Sequence, residues 1–379
     1  VAHPRAGRLA DPVAEETHPM NDSKNSLVDQ AGQVRAGEEV DVAKVTSYLQ
    51  AHGLALDSTP ELQQFPGGAS NLTYLLRCGN TELILRRPPL GHIAKSAHDV
   101  VREAVIMQKL KPVYPHVPVI HAICEDAGVI GAPFYVMERL VGNIPRQNLS
   151  PELGLDAAKT RQLCLNVLDA LIDLHQLEPA KAGLDTLGKG EGYVARQVEG
   201  WSKRYRAART EDVGDFEAVM SWLADKQPPR EVAIRLIHND FRFDNVVLDP
   251  QEPLRIMGVL DWEMATLGDP LMDLGSALAY WVQADDDLFM KGSRRQPTNA
   301  PGMLTRDEVV RYYAEKTGFS VENFDFYTVY GLFRLAGIAQ QIYRRFKEGN
   351  AHNPAFATFG PFVSYLEQRC LGIIAQSPL

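Results

Sequence analysis

The sequence is short of cysteine, of net positive charge and of long apolar runs, and each shortage removes a class of protein. Only four cysteines occur in 379 residues, and Cys78, Cys124, Cys164 and Cys370 form no Cys-x-x-Cys pair. Neither a zinc site nor a disulfide framework follows, so free packing thiols in a reducing cytoplasm are expected. The formal net charge is -9. A general nucleic-acid binder would show a basic face, so no nucleic-acid partner is expected, although a local basic patch is compatible with that total. No apolar run approaches the roughly 18 residues needed to cross a bilayer, and no membrane span is expected. Nothing near the N-terminus resembles the apolar stretch of a secretory signal. Also missing are Gly-x-x-x-x-Gly-Lys-Ser/Thr, Gly-x-Ser-x-Gly and His-Glu-x-x-His, which removes three common enzyme readings.

What is present can build a sizeable core: 45% of the residues are hydrophobic, over a length that suits one large domain or two lobes. Residues 1–40 are rich in Ala, Gly, Pro, Glu and Asp without periodicity, and read as a flexible, weakly structured extension. In residues 40–50, Val42, Val45, Tyr48 and Leu49 fall at helical spacing, and His52-Gly53 ends the run. Two extended runs, 72–77 and 82–87, flank Gly79-Asn80, a hairpin signal, and Pro88-Pro89 stops the second. A helix is expected over 97–111, strands over 117–124 and 134–137, and a linker over 142–145. Residues 41–142 therefore read as a small α+β lobe of antiparallel strands with one intervening helix. Residues 143–379 read as mostly helical. Leu163, Val167, Leu171 and Leu174 mark one long helix. Asp269-Pro270 supplies an N-cap and first turn for another, and helices are expected again over 326–347 and 362–374.

The chemistry concentrates in His238-Asn239-Asp240-Phe241-Arg242-Phe243-Asp244-Asn245. An acid two residues after a His and an amide seven after it fit H-x-D-x-x-x-x-N, the catalytic loop of kinases. Phosphoryl transfer needs a carboxylate beside the acceptor hydroxyl and an oxygen ligand for the metal that bridges the phosphates. Asp240 suits the first task. Asn245, through its side-chain carbonyl, suits the second, because Mg²⁺ prefers oxygen. A polar turn between strands would use the same residues. Asp261 tips the balance: it follows Asn245 by sixteen positions at the end of an apolar run, where kinases carry a second metal-binding Asp. Arg242, two after Asp240, would stabilise charge during transfer or make a surface salt bridge. His238 reads as a packed support, not a base, and His175 as a helix C-terminal residue.

Five segments together resemble the aminoglycoside phosphotransferase-like enzymes. These are Phe65-Pro-Gly-Gly-Ala-Ser-Asn-Leu-Thr-Tyr74, Leu85-Arg-Arg-Pro-Pro89, Ala97-His-Asp, Phe134-Tyr-Val-Met-Glu138 and Val259-Leu-Asp-Trp-Glu-Met-Ala-Thr-Leu-Gly-Asp-Pro270. More narrowly, the chain resembles the kinase-like domains found joined to acyl-CoA dehydrogenases. The resemblance runs from about residue 40 to the C-terminus and implies an α+β, bilobal protein kinase-like fold. It also implies a phosphotransferase using ATP and Mg²⁺ to modify a hydroxyl of a small molecule.

By that resemblance, Gly67, Gly68, Ser70 and Asn71 would form the loop over the ATP phosphates, although a plain turn would use Gly-Gly equally. Arg86 would take the place of the usual phosphate-binding Lys, with Glu103 its ion-pair partner or else a solvated surface carboxylate. The backbone of Glu138 and Leu140 would meet adenine, with Met137 behind the base. Asp273 would accept backbone N–H bonds from the 238–245 loop, and Asn239 replaces a more usual Gly. A hydroxyacyl compound or its CoA thioester is the acceptor this subgroup suggests, met by Arg334, Arg344 and Arg345 or leaving those as a basic helix face. An aminoglycoside would instead call for acid, which Asp285 to Asp287 could supply. The alternative to an active enzyme is a pseudokinase-like nucleotide-binding module, with Arg86 and Asn239 marking lost catalysis.

Overall fold

The computed structural model describes residues 27–54, 56, 58–66, 71–89 and 99–379. Its first lobe is a five-stranded antiparallel sheet with strand order β1-β2-β3-β5-β4. The strands are β1 (Glu61–Gln64), β2 (Leu72–Cys78), β3 (Thr81–Arg87), β4 (Ile120–Cys124) and β5 (Phe134–Glu138). The expected hairpin forms between β2 and β3, with Leu76 opposite Leu83 and Cys78 opposite Thr81. Its turn depends on Gly79 at φ 56°, which glycine adopts without strain. β1, mostly polar and only four residues long, was not legible in the sequence.

Side chains alternate across a strand, and here the two faces feed two cores. Leu83 and Leu85 pack with Val45 and Leu49 of helix α1 (Val42–Ala51). Ile84 and Tyr135 pack on the other face with Ala104 and Met107 of α2 (Val100–Leu110). Arg86 therefore shares the α2 face with Ile84, while Arg87 lies over Tyr74 on the α1 face. Both helices start on a side-chain cap, Asp41 for α1 and Asp99 for α2.

The supposed extension is not wholly one. From Leu27 onward it is tied to the folded part of the chain, and at Gly32 to the first lobe: Gly32 exchanges two backbone hydrogen bonds with Gln64 at 2.9 Å each. The Glu38 carbonyl accepts from Tyr74 and Arg87. Polar anchors on a sheet edge and scattered apolar contacts from Leu27, Ala31, Val34 and Val40 fix this segment, and periodicity could not reveal them.

The second lobe is mainly helical: α3 (Ala157–Gln176), α4 (Tyr193–Ala208), α5 (Glu217–Asp225), α6 (Pro270–Ala279), α7 (Leu288–Gly292), α8 (Arg306–Thr317), α9 (Phe324–Lys347) and α10 (Phe359–Gln376). Two short pairs cross it, β6 (Arg235–Ile237) with β9 (Thr266–Gly268), and β7 (Val246–Leu248) with β8 (Ile256–Val259). The expected N-cap holds: Asp269 accepts from the Leu271 N–H, with Pro270 at the first helical position. α6 and α9 approach closely through Gly275 and Gly331. A Cβ at Gly331 would lie 2.1 Å from the Gly275 carbonyl oxygen, so only glycine lets the two backbones meet. Between the lobes the chain passes Gly142, where a Cβ would lie 2.3 Å from the Leu248 carbonyl oxygen. Asn143 then pairs with Leu248 through two backbone hydrogen bonds, docking the linker on β7.

Candidate active site

β6 delivers the chain into the 238–245 loop, and the β7–β8 pair carries it to Asp261. The loop is held from below by Asp273 on α6. One Asp273 oxygen accepts from the His238 N–H at 2.7 Å, the other from the Asn239 N–H at 2.8 Å. His175 adds a third bond through Nε2 at 3.0 Å, and its Nδ1 meets the Tyr313 hydroxyl at 2.7 Å. Burial disfavours the Asp273 carboxylate, but its bond to His175 and the loop N–H donors outweigh that and hold the carboxyl below its ordinary range. Asp273 thus takes the supporting position expected of it. His175 does more than end a helix: it is fully buried and braces Asp273. Nothing local in the sequence signals a contact across 98 residues.

His238 is a fully buried support. Its Nδ1 accepts from the Asp240 N–H at 3.2 Å, so its Nε2 carries the proton donated to the Leu260 carbonyl at 3.0 Å. Burial lowers its pKa, which keeps the ring neutral. Asn239 sits at φ 65°, in the left-handed region where Asn is among the few tolerated side chains. Its side chain bridges Tyr193 and the Met264 carbonyl, and its own carbonyl accepts from Arg334. An Asn in place of a Gly therefore preserves the turn and adds ties to it.

These supports present Asp240. Asn245 donates its amide to the Asp240 carboxylate at 3.1 Å and to the Asp240 carbonyl at 2.8 Å. The Asn245 main-chain carbonyl accepts from the Leu260 N–H, which leaves the side-chain oxygen without a hydrogen-bond partner among the described residues. Arg242 lies 3.4 Å from Asp240 and 3.0 Å from Asp244, with its guanidinium over the Tyr280 ring. Burial pushes the Asp240 carboxyl up to about 6; Arg242 pulls it down and Asp261 pushes it up again. Gln296, which sequence reasoning missed, fixes the loop's other end by accepting from the Phe243 N–H and donating to the Tyr280 carbonyl.

Across the cleft, Arg86 reaches Glu103 at 3.0 Å and Asp261 at 3.5 Å. The Arg–Glu pair is formed, and Glu103 is buried, not a solvated surface carboxylate. Burial pushes the Glu103 carboxyl up to about 7 against the pull of Arg86. Burial is the largest single influence on Arg86 and lowers its pKa, but Glu103, Tyr135, Asp261 and Glu263 together outweigh it and hold the guanidinium above its usual range. Asn71, also buried, donates to Glu263 at 3.1 Å, tying the start of β2 to the segment after Asp261. Arg102 was not singled out by sequence, yet it binds the carbonyls of Glu263 and Ala265 and joins α2 to the same segment. Gly67, Gly68 and Ser70 lie outside the described residues.

Arg86, Asp261 and Asn245 line one cavity of about 600 Å³ together with Ile84, Met137, Glu138, Leu140 and Asp244. The Glu138 N–H is spent on the Val119 carbonyl and its carboxylate on the Val119 N–H. The Glu138 N–H is thus not free to meet a base, whereas neither backbone group of Leu140 bonds to another described residue. Among the described residues, no group of three or more His, Cys, Asp or Glu could hold a metal by itself. Asp261 and the Asn245 side-chain carbonyl form a sparser all-oxygen set, which suits Mg²⁺ because that ion keeps water and phosphate oxygens in its shell.

Residues 61–308 match the family described as the phosphotransferase enzyme family. The chain belongs to that family. Among curated proteins, this phosphotransferase-family chain is 36% identical over 293 residues to acyl-CoA dehydrogenase family member 10 of Mus musculus. That match covers 77% of this chain and 27% of the relative. It is 33% identical over 311 residues to acyl-CoA dehydrogenase family member 11 of Homo sapiens, covering 81% and 39%. The chain thus spans only about a quarter to two fifths of the length of these relatives. A solved Ralstonia eutropha protein, provisionally called an aminoglycoside phosphotransferase, superposes with a TM-score of 0.78 at 26% identity, over 90% of this chain and 100% of that one. The family, the acyl-CoA-dehydrogenase-linked subgroup and the kinase-like fold expected from sequence are borne out. No helix among the described residues is long and apolar enough to cross a membrane.

The acceptor-side expectations need correction. Arg334 is buried and committed to the Asn239 carbonyl. Arg344 lies ten residues further on, about 15 Å along α9, bound to Glu348 and the Ala207 carbonyl. The three arginines therefore form no common anion site. Asp286 is consumed by Arg306 and Arg369, and Asp287 caps α7 and accepts from Tyr365, so these acids form no open pocket.

Proposed function

We propose that this protein moves the γ-phosphoryl group of ATP to a hydroxyl of a small molecule, in a Mg²⁺-dependent reaction. The observation that carries the reading is the joining of Asp240 to Asn245, on a loop facing Asp261 and the Arg86–Glu103 pair. That gathers a carboxylate for the hydroxyl, oxygen donors for a metal and a cation for phosphate. Arg86 in place of Lys keeps its ion pair, and its planar guanidinium can grip two oxygens. This supports an active enzyme over a pseudokinase-like module.

In this scheme the acceptor hydroxyl oxygen bonds to the γ-phosphorus as the bond from that phosphorus to the β,γ-bridging oxygen breaks, and ADP leaves. The hydroxyl proton passes to the Asp240 carboxylate, which must be ionised beforehand. Arg86 meets the phosphate chain from the β3 side. Arg242 balances negative charge near Asp240 and holds that carboxylate toward its ionised form. Asp261 and Asn245 would hold Mg²⁺, which when bound neutralises charge on the phosphates.

The acceptor we infer is a hydroxyacyl compound or its CoA thioester, in preference to an aminoglycoside. Kinship with acyl-CoA dehydrogenase family members supports it, as does the engagement of Asp286 and Asp287 elsewhere. The test is a phosphate-transfer screen setting hydroxyacyl-CoA thioesters against amino sugars. Transfer to the thioesters is expected; transfer to amino sugars alone would reverse the choice of acceptor.

A further inference from the structure

The cavity has a wall that no motif announces. Val28, Asp29 and Gln30 line it together with Met137, Glu138 and Leu140, and Arg139, between the last two in the chain, bonds to Asp29. They belong to a segment without helix or strand, packed through Leu27 and Ala31 and tied by polar contacts. The Asn143 amide donates to the Leu27 carbonyl at 2.9 Å. Arg139, whose side chain is only 9% exposed, donates to the Asp29 carbonyl at 3.1 Å while pairing with Glu82. The Asp29 carboxylate takes both ends of the Arg146 guanidinium at 2.7 and 2.6 Å. Gly32 then pins the segment to Gln64 on the first lobe.

Arg139, Asn143 and Arg146 all lie shortly after Glu138, in the stretch that joins the lobes. The segment therefore runs from the edge strand of one lobe across the cleft mouth to the linker of the other. Arg146 also faces the 238–245 loop: burial raises the Asp244 carboxyl, and Arg242, then more weakly Arg146, draw it back. Ile84, Met137 and Leu140 give this end of the cavity an apolar lining that suits a flat base, while Arg86 and Asp261 mark the phosphate end.

We propose that residues 27–30 are part of the nucleotide site: an outer wall over the base, latched by Asp29 and Arg146, that sets how tightly and how long a purine nucleoside triphosphate is held. The proposal rests on the ATP reading above. Leaving the site requires the latch to part, so the wall acts on dissociation more than on the transfer step.

The experiment uses the full chain, the variants Asp29→Asn and Arg146→Ala, and the double variant. It reads the dissociation rate of a fluorescent ATP analogue, and amide hydrogen exchange over residues 27–32 with and without ATP. An exposed ion pair is weak, so each single variant should release the analogue about two- to five-fold faster. The double variant should be no faster than Arg146→Ala, because both remove one latch. The KM for ATP should rise without a change in the KM for the acceptor, and ATP should slow exchange at residues 27–32. Unaltered release by every variant, with exchange indifferent to ATP, overturns the wall while leaving the ATP reading standing. Failure of the unmodified chain to bind ATP overturns the ATP reading itself.

Discussion

At the residue scale, the role proposed for Asp240 implies a particular pH behaviour. Its carboxyl sits at about 6 because burial disfavours the charged form more than Arg242 favours it. A group acting as a base works only when ionised, so kcat/KM should fall on the acid side with a midpoint near 6. Arg242→Gln removes a charge that holds the value down and should move that midpoint upward. A pH–rate profile of both proteins decides the matter, and an acid limb at the ordinary carboxylate value of about 4 would contradict it. The stability linkage has the opposite sense. Between the unfolded value of 3.8 and about 6 the folded state binds the extra proton, so this residue's contribution weakens as pH rises through that window. The roles proposed for Asp240, Asn245 and Asp261 were legible because their spacing is local and follows from short strands. Those of His175, Gln296 and Arg102 were not, because each acts through its own hydrogen bonds on residues distant in sequence.

At the element scale, the α6–α9 crossing positions the loop from two sides. α6 supplies Asp273 to the His238 and Asn239 N–H groups, and α9 supplies Arg334 to the Asn239 carbonyl. Their contact depends on Gly275 and Gly331, so Gly331→Ala should force them apart at a cost of about 1–3 kcal/mol. Turnover should fall with stability, because Arg334 and Asp273 would lose register with the loop. Gly372, inside α10, gives the contrast, since a Cβ there would meet no atom within 4 Å. At that position Gly→Ala should raise stability by up to about 1 kcal/mol through helix propensity, with turnover unchanged. Denaturant titration and initial rates on the two variants check both halves; equal effects at the two sites would refute the crossing argument. The long helices and the β2–β3 hairpin were readable because period and turn residues announce them. β1, β9 and α4 were not: β1 is mostly polar, β9 is three residues long, and α4 starts on Gly192 without a side-chain cap.

At the scale of the whole molecule, the first lobe brings Arg86 and Glu103, the second brings Asp240, Asn245 and Asp261, and a short linker docked on β7 sets them opposite one another. The sequence pattern anticipated two lobes because strands precede helices along the chain. It did not anticipate that residues 32–40 are tied to the first and 27–29 to the stretch joining the two, since their anchors are backbone carbonyls, scattered arginines and isolated apolar side chains. The central claim is that Asp240 acts on an acceptor hydroxyl while other residues hold the nucleotide. The most direct test measures phosphate transfer from ATP by the unmodified chain and by Asp240→Asn, with ATP affinity measured in parallel. The account predicts turnover lower by about 10²–10⁴-fold with nucleotide binding retained; equal turnover in the two proteins would contradict it.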